Sequence, residues 1–174
     1  MILGAILSLL LQASQPSAIT PILLNELDTL LQQEHNILLV DLLPEEAYLE
    51  GHIPGALSLP WPVWPQFLEK GGFLDALPPD QPIVLYCGSQ TCSVAHRAAL
   101  LLKKRGWTRI FEFTPGRQGW VDQERLLKIG ARCHHCGHPT DSPLCCHFAP
   151  PHRNHARIPV HAPQANKPFH SPPQ

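Results

Sequence analysis

Two short, unbroken apolar runs dominate the hydrophobic pattern of this chain. Ile37-Leu38-Leu39-Val40 runs into Asp41, and Ile83-Val84-Leu85 runs into Tyr86-Cys87. Runs of this length, apolar at consecutive rather than alternate positions, predict strands buried on both faces of a parallel sheet, here over residues 36–41 and 82–86. Residues 56–60 and 109–113 predict two further short strands. Between the strands the period changes. Ile22, Leu23, Leu27, Leu30 and Leu31 recur at helical spacing and predict a helix over residues 19–31. Residues 44–49 open with a proline and two acids, the signature of a helix start, and Gly51 closes them. Residues 62–70 predict a short helix carrying Val63, Trp64, Phe67 and Leu68. Residues 93–105 predict a longer one, with Ser93 as N-cap, Lys103-Lys104-Arg105 at the negative end of the dipole and Gly106 as the stop. A last helix is predicted over residues 118–129. Strands alternating with helices at this spacing predict an α/β fold with an open, mainly parallel sheet.

Composition divides the chain into three materials. Nine of the 20 prolines, eight of the 11 histidines and four of the six cysteines fall in residues 133–174. Residues 18–130 therefore read as the globular domain, and residues 131–174 as a Cys/His/Pro-rich tail with too little apolar side chain to fold. Residues 1–17 are a third piece, strongly apolar up to Leu11 but ending at Gln12. A spanning helix needs about 20 apolar residues, so the run is short for one. A packed helix, a membrane tether through residues 1–12 and a cleaved leader all stay open, which leaves a cytoplasmic location and a tethered one as the alternatives. The net charge of −1 gives no electrostatic footprint for nucleic acid.

In open parallel sheets ligands bind beyond the carboxyl ends of the strands, where both Asp41 and Cys87 fall. Cys87 is followed by a polar loop, Gly88, Ser89, Gln90, Thr91, Cys92 and Ser93, and then by a helix N-terminus. Inward-pointing amides and the helix dipole favour a thiolate there, so Cys87 is the candidate nucleophile and the loop the candidate substrate cradle. The plain alternative is a buried cysteine acting as a small hydrophobe. Cys92 either attacks a sulfur carried by Cys87, leaving a disulfide, or simply packs at the start of the helix. Asp41 either orients the loop or satisfies backbone amides. Arg97, with His96 beside it, is the nearest candidate cation, and His52 reads as a hydrogen-bonded turn residue.

The order of these motifs resembles the rhodanese-like (sulfurtransferase) domain. The matching residues are Leu39-Val40-Asp41, Glu46 with Tyr48, Gly51-His52-Ile53-Pro54-Gly55-Ala56, Ile83-Val84-Leu85-Tyr86-Cys87, Gly106-Trp107, and Gly116 with Trp120. The resemblance covers about residues 18–128 and implies a five-stranded parallel sheet flanked by helices, with Cys87 opening the active-site loop. Three positions depart from it. Leu43 stands where the family usually has an arginine, the loop ends Cys92-Ser93 without one, and Arg117 replaces the second glycine of a pair.

The resemblance implies a sulfurtransferase. It would move sulfane sulfur from thiosulfate, or from a persulfide or polysulfide, to a thiol or cyanide through a Cys87 persulfide. A small sulfur donor and a thiol acceptor are its expected partners, and no cofactor is expected. A catalytically idle binding or sulfur-sensing module is the alternative. A cysteine phosphatase or arsenate reductase is disfavoured, because the arginine that clamps the oxyanion is replaced by Ser93. In the tail, Cys133, Cys136, Cys145 and Cys146 are metal-ligand material, but only eight residues separate the pairs and adjacent cysteines ligate one ion awkwardly. The expectation is a disordered tail and no metal site.

Overall fold

Five strands assemble into one parallel sheet in the computed structural model, which describes residues 19–34, 36–69 and 72–146. They are β1 (Ile19–Ile22), β2 (Leu38–Asp41), β3 (Leu57–Ser58), β4 (Ile83–Tyr86) and β5 (Ile110–Phe113), in the spatial order β1-β5-β4-β2-β3. The two apolar runs are the inner strands β2 and β4, and every residue of both is buried. Their register sets Asp41 beside Tyr86 at the carboxyl edge.

Alternation along the strands divides the core between the two faces of the sheet. Leu38, Val40, Ile83, Leu85 and Ile110 face one way, onto α3 (Trp64–Phe67) and α4 (Val94–Lys104). Leu39, Val84, Tyr86 and Phe113 face the other, onto α1 (Leu24–Gln33), α2 (Glu45–Glu50) and α5 (Gly116–Val121). Helices on both faces explain why β2 and β4 are apolar at consecutive positions until Asp41 and Tyr86 at their carboxyl ends.

Three local expectations are corrected. Residues 19–31 are not one helix: residues 19–22 form β1, which pairs with β5, and α1 begins only at Leu24. β1 lies at the sheet edge, where Pro21 is tolerated because the strand has only one ladder to fill. The last helix stops at Val121, well short of residue 129. Glu124 turns left-handed at φ 57°, and Lys128 leaves to exchange backbone hydrogen bonds with His52. Ser93 occupies the N-cap position of α4, but its side chain makes no capping hydrogen bond.

The expected tail divides at Cys146. Residues 131–146 pack beside β3 and α2: the Ser58 amide donates to the Asp141 carbonyl, and His138 bonds Glu45. Residues 147–174 and the apolar residues 1–17 lie outside the described residues. Among the described residues no helix is long and apolar enough to cross a membrane; the expectation of a membrane tether is corrected to this extent, that no tether is shown and residues 1–12 lie outside the described ones.

Candidate active site

Strand β4 delivers Cys87 to the carboxyl edge of the sheet, where its residue is 6% exposed. The loop that follows closes on itself and on α5. The Cys92 amide donates to the Ser89 carbonyl, and the Ser89 and Thr91 hydroxyls are 3.1 Å apart. The amides of Arg117 and Gln118 donate to the carbonyls of Cys87 and Gly88 at 2.8 and 2.9 Å. With those carbonyls engaged from behind, the amides of Gly88, Ser89, Gln90 and Thr91 make no backbone hydrogen bond among the described residues.

Gly116 makes this docking possible. It sits at φ +64°, and a Cβ there would lie 2.5 Å from the Cys87 carbonyl oxygen and 2.8 Å from the Ser89 nitrogen. Only a residue without a side chain admits that approach. Arg117, the departure from a glycine pair, turns its guanidinium away from the loop. It donates to the Ala47 and Gly51 carbonyls at 2.8 and 3.2 Å, holding the end of α2.

A buried polar chain fixes the residue before the cysteine. Tyr86 Oη donates to Asp41 Oδ2 at 2.6 Å, Leu43 N donates to Asp41 Oδ1 at 2.8 Å, and Ile53 N donates to Tyr86 Oη at 3.2 Å. Tyr48 Oη closes the far side by donating to the Ala56 carbonyl. The Gly51–Ala56 turn and the Tyr86-Cys87 corner are thus one hydrogen-bonded unit, although some thirty residues separate them. Asp41 therefore acts on the site through Tyr86. Burial pushes its carboxyl up to about 6, against the opposing hydrogen bonds from Tyr86 and Leu43 and the charge of Arg117. His52 stacks on Tyr48 with ring centroids 3.8 Å apart, and its Nδ1 lies 3.0 Å from the Tyr48 carbonyl. Burial lowers its pKa, so it stands as a neutral structural residue.

Cys92 is brought to Cys87 itself: the two sulfurs form a disulfide, with their Cα atoms 6.3 Å apart. Among the described residues no side-chain cation is recorded against them. Arg97, the expected support, places its guanidinium over the Trp61 ring at 4.7 Å, and His96 pairs with Glu112 at 3.0 Å. Leu43 closes in beside Gly88 in place of an arginine. An open cleft of about 600 Å³ lies alongside, walled by Ser89, Gln90 and Thr91 of the loop and by Leu23, Leu24, Pro115, Gln118, Gly119, Asp122 and Gln123. Its one charged wall residue is acidic.

The family model for the rhodanese-like domain matches residues 23–123, more than half of the chain. This chain belongs to the rhodanese-like domain family. A Bacillus halodurans protein, BH2092, shares the architecture at 26% identity and a TM-score of 0.53, over 64% of this chain and 77% of that one. The human single-domain sulfurtransferase TSTD1 aligns at 22% identity and a TM-score of 0.52, over 61% of this chain and 98% of its own. A Rhodopseudomonas palustris protein described as a possible tyrosine phosphatase aligns at 20% and 0.53, over 63% and 85%; these last two show the shared fold. The HTH-type transcriptional regulator Rv0324 of Mycobacterium tuberculosis is 36% identical over 70 residues, 40% of this chain and only 28% of that protein's length.

Sequence reasoning singled out Cys87 and its loop as candidates but did not single out the residues that hold them. Tyr86, Gly116 and the backbone of Arg117 touch or position the loop. The signal for Tyr86 was available: it ends a strand one residue before Cys87, opposite a strand that ends in a buried acid.

Proposed function

We propose that this rhodanese-like chain is a sulfurtransferase that loads sulfane sulfur from a low-molecular-weight persulfide onto Cys87 and discharges it with the help of Cys92. The Cys87–Cys92 disulfide carries the reading, since it puts a second thiol within bonding distance of the nucleophile. The cycle starts when two equivalents of a low-molecular-weight thiol open that disulfide by exchange, supplying two electrons and leaving as their own disulfide. The Cys87 thiolate then attacks the outer sulfur of the donor. The donor S–S bond breaks, its thiolate leaves, and Cys87 carries a persulfide whose terminal charge faces the loop amides. An external thiol or cyanide takes the outer sulfur directly. Alternatively, the Cys92 thiolate attacks Cys87 Sγ, hydrosulfide departs, and the disulfide returns.

The uncharged cradle favours a persulfide over thiosulfate. Dianionic thiosulfate surrenders more hydration on entering a site with amides alone to replace it. The cleft beside Ser89–Thr91 offers room for the organic part of a persulfide instead. A phosphatase reading lacks its guanidinium, because Ser93 stands where the clamp belongs.

Mass spectrometry of the reduced protein after glutathione persulfide should show one added sulfur on the Cys87 peptide, absent in Cys87→Ser, which should also form no product. Cys92→Ala should hold the persulfide longer and release sulfide more slowly. Undiminished transfer by Cys87→Ser removes that residue from the mechanism. Wild-type sulfide release by Cys92→Ala leaves the second cysteine a packing role only.

A further inference from the structure

We infer that Cys133, Cys136, Cys145 and Cys146 form a closed tetrathiolate site for one Zn²⁺, and that this ion pins residues 131–146 against the edge of the sheet. The four Sγ atoms lie within 4.8 Å of one another. Two separations are more informative. Cys133 and Cys146 are 3.6 Å apart and Cys136 and Cys145 are 3.8 Å apart, sulfur to sulfur. Both are far beyond an S–S bond of about 2.0 Å. Four sulfurs at about 2.3 Å from a tetrahedral zinc stand about 3.8 Å from one another, so the observed edges match that polyhedron.

The objection from sequence, that the pairs are too close along the chain, is met by two tight turns. In the first, Gly137 turns at φ +76°, its amide donates to the Cys133 carbonyl, and the Cys133 amide donates to the His138 carbonyl. Arg132 and Pro139 then pair antiparallel, sending the chain back past its start. In the second turn the Cys145 amide donates to the Ser142 carbonyl and the Leu144 amide to the Ser142 hydroxyl. Adjacent Cys145 and Cys146 thereby reach different members of the first pair. The Cys146 amide also donates to Cys136 Sγ at 3.4 Å. An N–H aimed at sulfur is the outer-shell contact that offsets charge on a ligating thiolate. Cys133 and Cys145 are buried and no ligand position is left over, which marks a structural rather than a catalytic site.

Loading exchanges protons for metal: Zn²⁺ and four thiols give a dianionic tetrathiolate and four protons, with no change of oxidation state. Around the cluster, Lys128 pairs with Asp141 and Arg132 with Glu45 of α2. The module is short of apolar material, so ligation supplies what its core lacks.

The test uses the whole 174-residue chain in its reduced form. Purified chain should carry one zinc, and a cobalt titration should give the intense ligand-field and charge-transfer absorption of tetrahedral thiolate Co²⁺, saturating at one equivalent and bleached by Zn²⁺. Cys136→Ser should weaken zinc binding at least tenfold and lower the melting temperature, whereas Cys92→Ser should leave cobalt uptake unchanged. A weak octahedral cobalt spectrum, or zinc far below one per chain after reduction and dialysis against Zn²⁺, overturns the assignment. So does a Cys136→Ser chain that binds zinc as tightly as wild type. The cobalt titration decides even if Cys136→Ser does not fold.

Discussion

Replacing Gly116 by alanine tests whether the rear of the active-site loop is as tightly seated as the structure has it. Two costs are expected. Holding a residue with a Cβ at φ +64° costs about 1 kcal/mol. The Cβ would also press within 2.5 Å of the Cys87 carbonyl oxygen, so the loop must retreat from α5 and stretch the two hydrogen bonds to the amides of Arg117 and Gln118. At about 1 kcal/mol each, these bring the total to about 2–4 kcal/mol, or roughly 5–12 °C in melting temperature for a chain of this size. In the proposed function the displaced loop carries the nucleophile and its amide cradle, so kcat/KM for sulfur transfer should fall roughly tenfold or more. Gly106→Ala is the matched control: its φ is +88°, yet nothing lies within 4 Å of the added Cβ. It should lose only the backbone term and keep its transfer rate. Urea unfolding and steady-state kinetics on both variants decide the matter. If Gly116→Ala matches Gly106→Ala in both, the loop is not held by close approach and the reasoning fails.

Asp41 should leave a mark on stability against pH. Its carboxyl titrates near 6 in the folded state and at 3.8 when unfolded, so the folded chain holds the extra proton and stability falls as pH rises from about 4 to 6. Asp41→Asn should erase that slope, worth roughly 3 kcal/mol, and a wild-type-minus-variant difference that stays flat across the window refutes it. Glutathione persulfide should exceed thiosulfate in kcat/KM, and a tenfold advantage for thiosulfate would show that a cation reaches the loop. A chain ending at Gly130 should melt several degrees below one ending at Cys146, having lost the Asp141 carbonyl that takes the Ser58 amide and the ion pairs to Glu45; equal melting temperatures would show that residues 131–146 contribute nothing to the fold.

What could be read in advance follows the range of the interactions involved. β2 and β4 were legible because burial on both faces writes an apolar run into consecutive positions, and α4 because its amphipathic period and terminal signals are local. β1 was not. Ile22 and Leu27 mimic a helical period, and only pairing with β5, ninety residues away, makes residues 19–22 a strand. The same limit applies at the site. Cys87 and its loop are contiguous, so they could be singled out as candidates from sequence, and the family resemblance carried the sheet's strand count. Gly116 reads as any turn glycine until the carbonyl it must admit is in place. The meeting of the four thiols could not be read from spacing for a related reason. Cys145 and Cys146 diverge because a turn at Ser142 aims them differently, and nothing in the interval between the pairs encodes that.

The strand order has a consequence for how such a chain is made. β1 is the first strand synthesised, but its neighbour in the sheet is β5, the last. At the opposite edge, the Ser58 amide waits for the Asp141 carbonyl. A nascent chain halted before residue 110 can join β2, β3 and β4 but must leave β1 without a partner and one side of β4 bare. Exposed ladders of that kind pair readily with other chains. The sheet therefore cannot be completed while its second half is still inside the ribosome, and stalled or prematurely terminated products should be clients of chaperones and proteases rather than partly folded domains that persist.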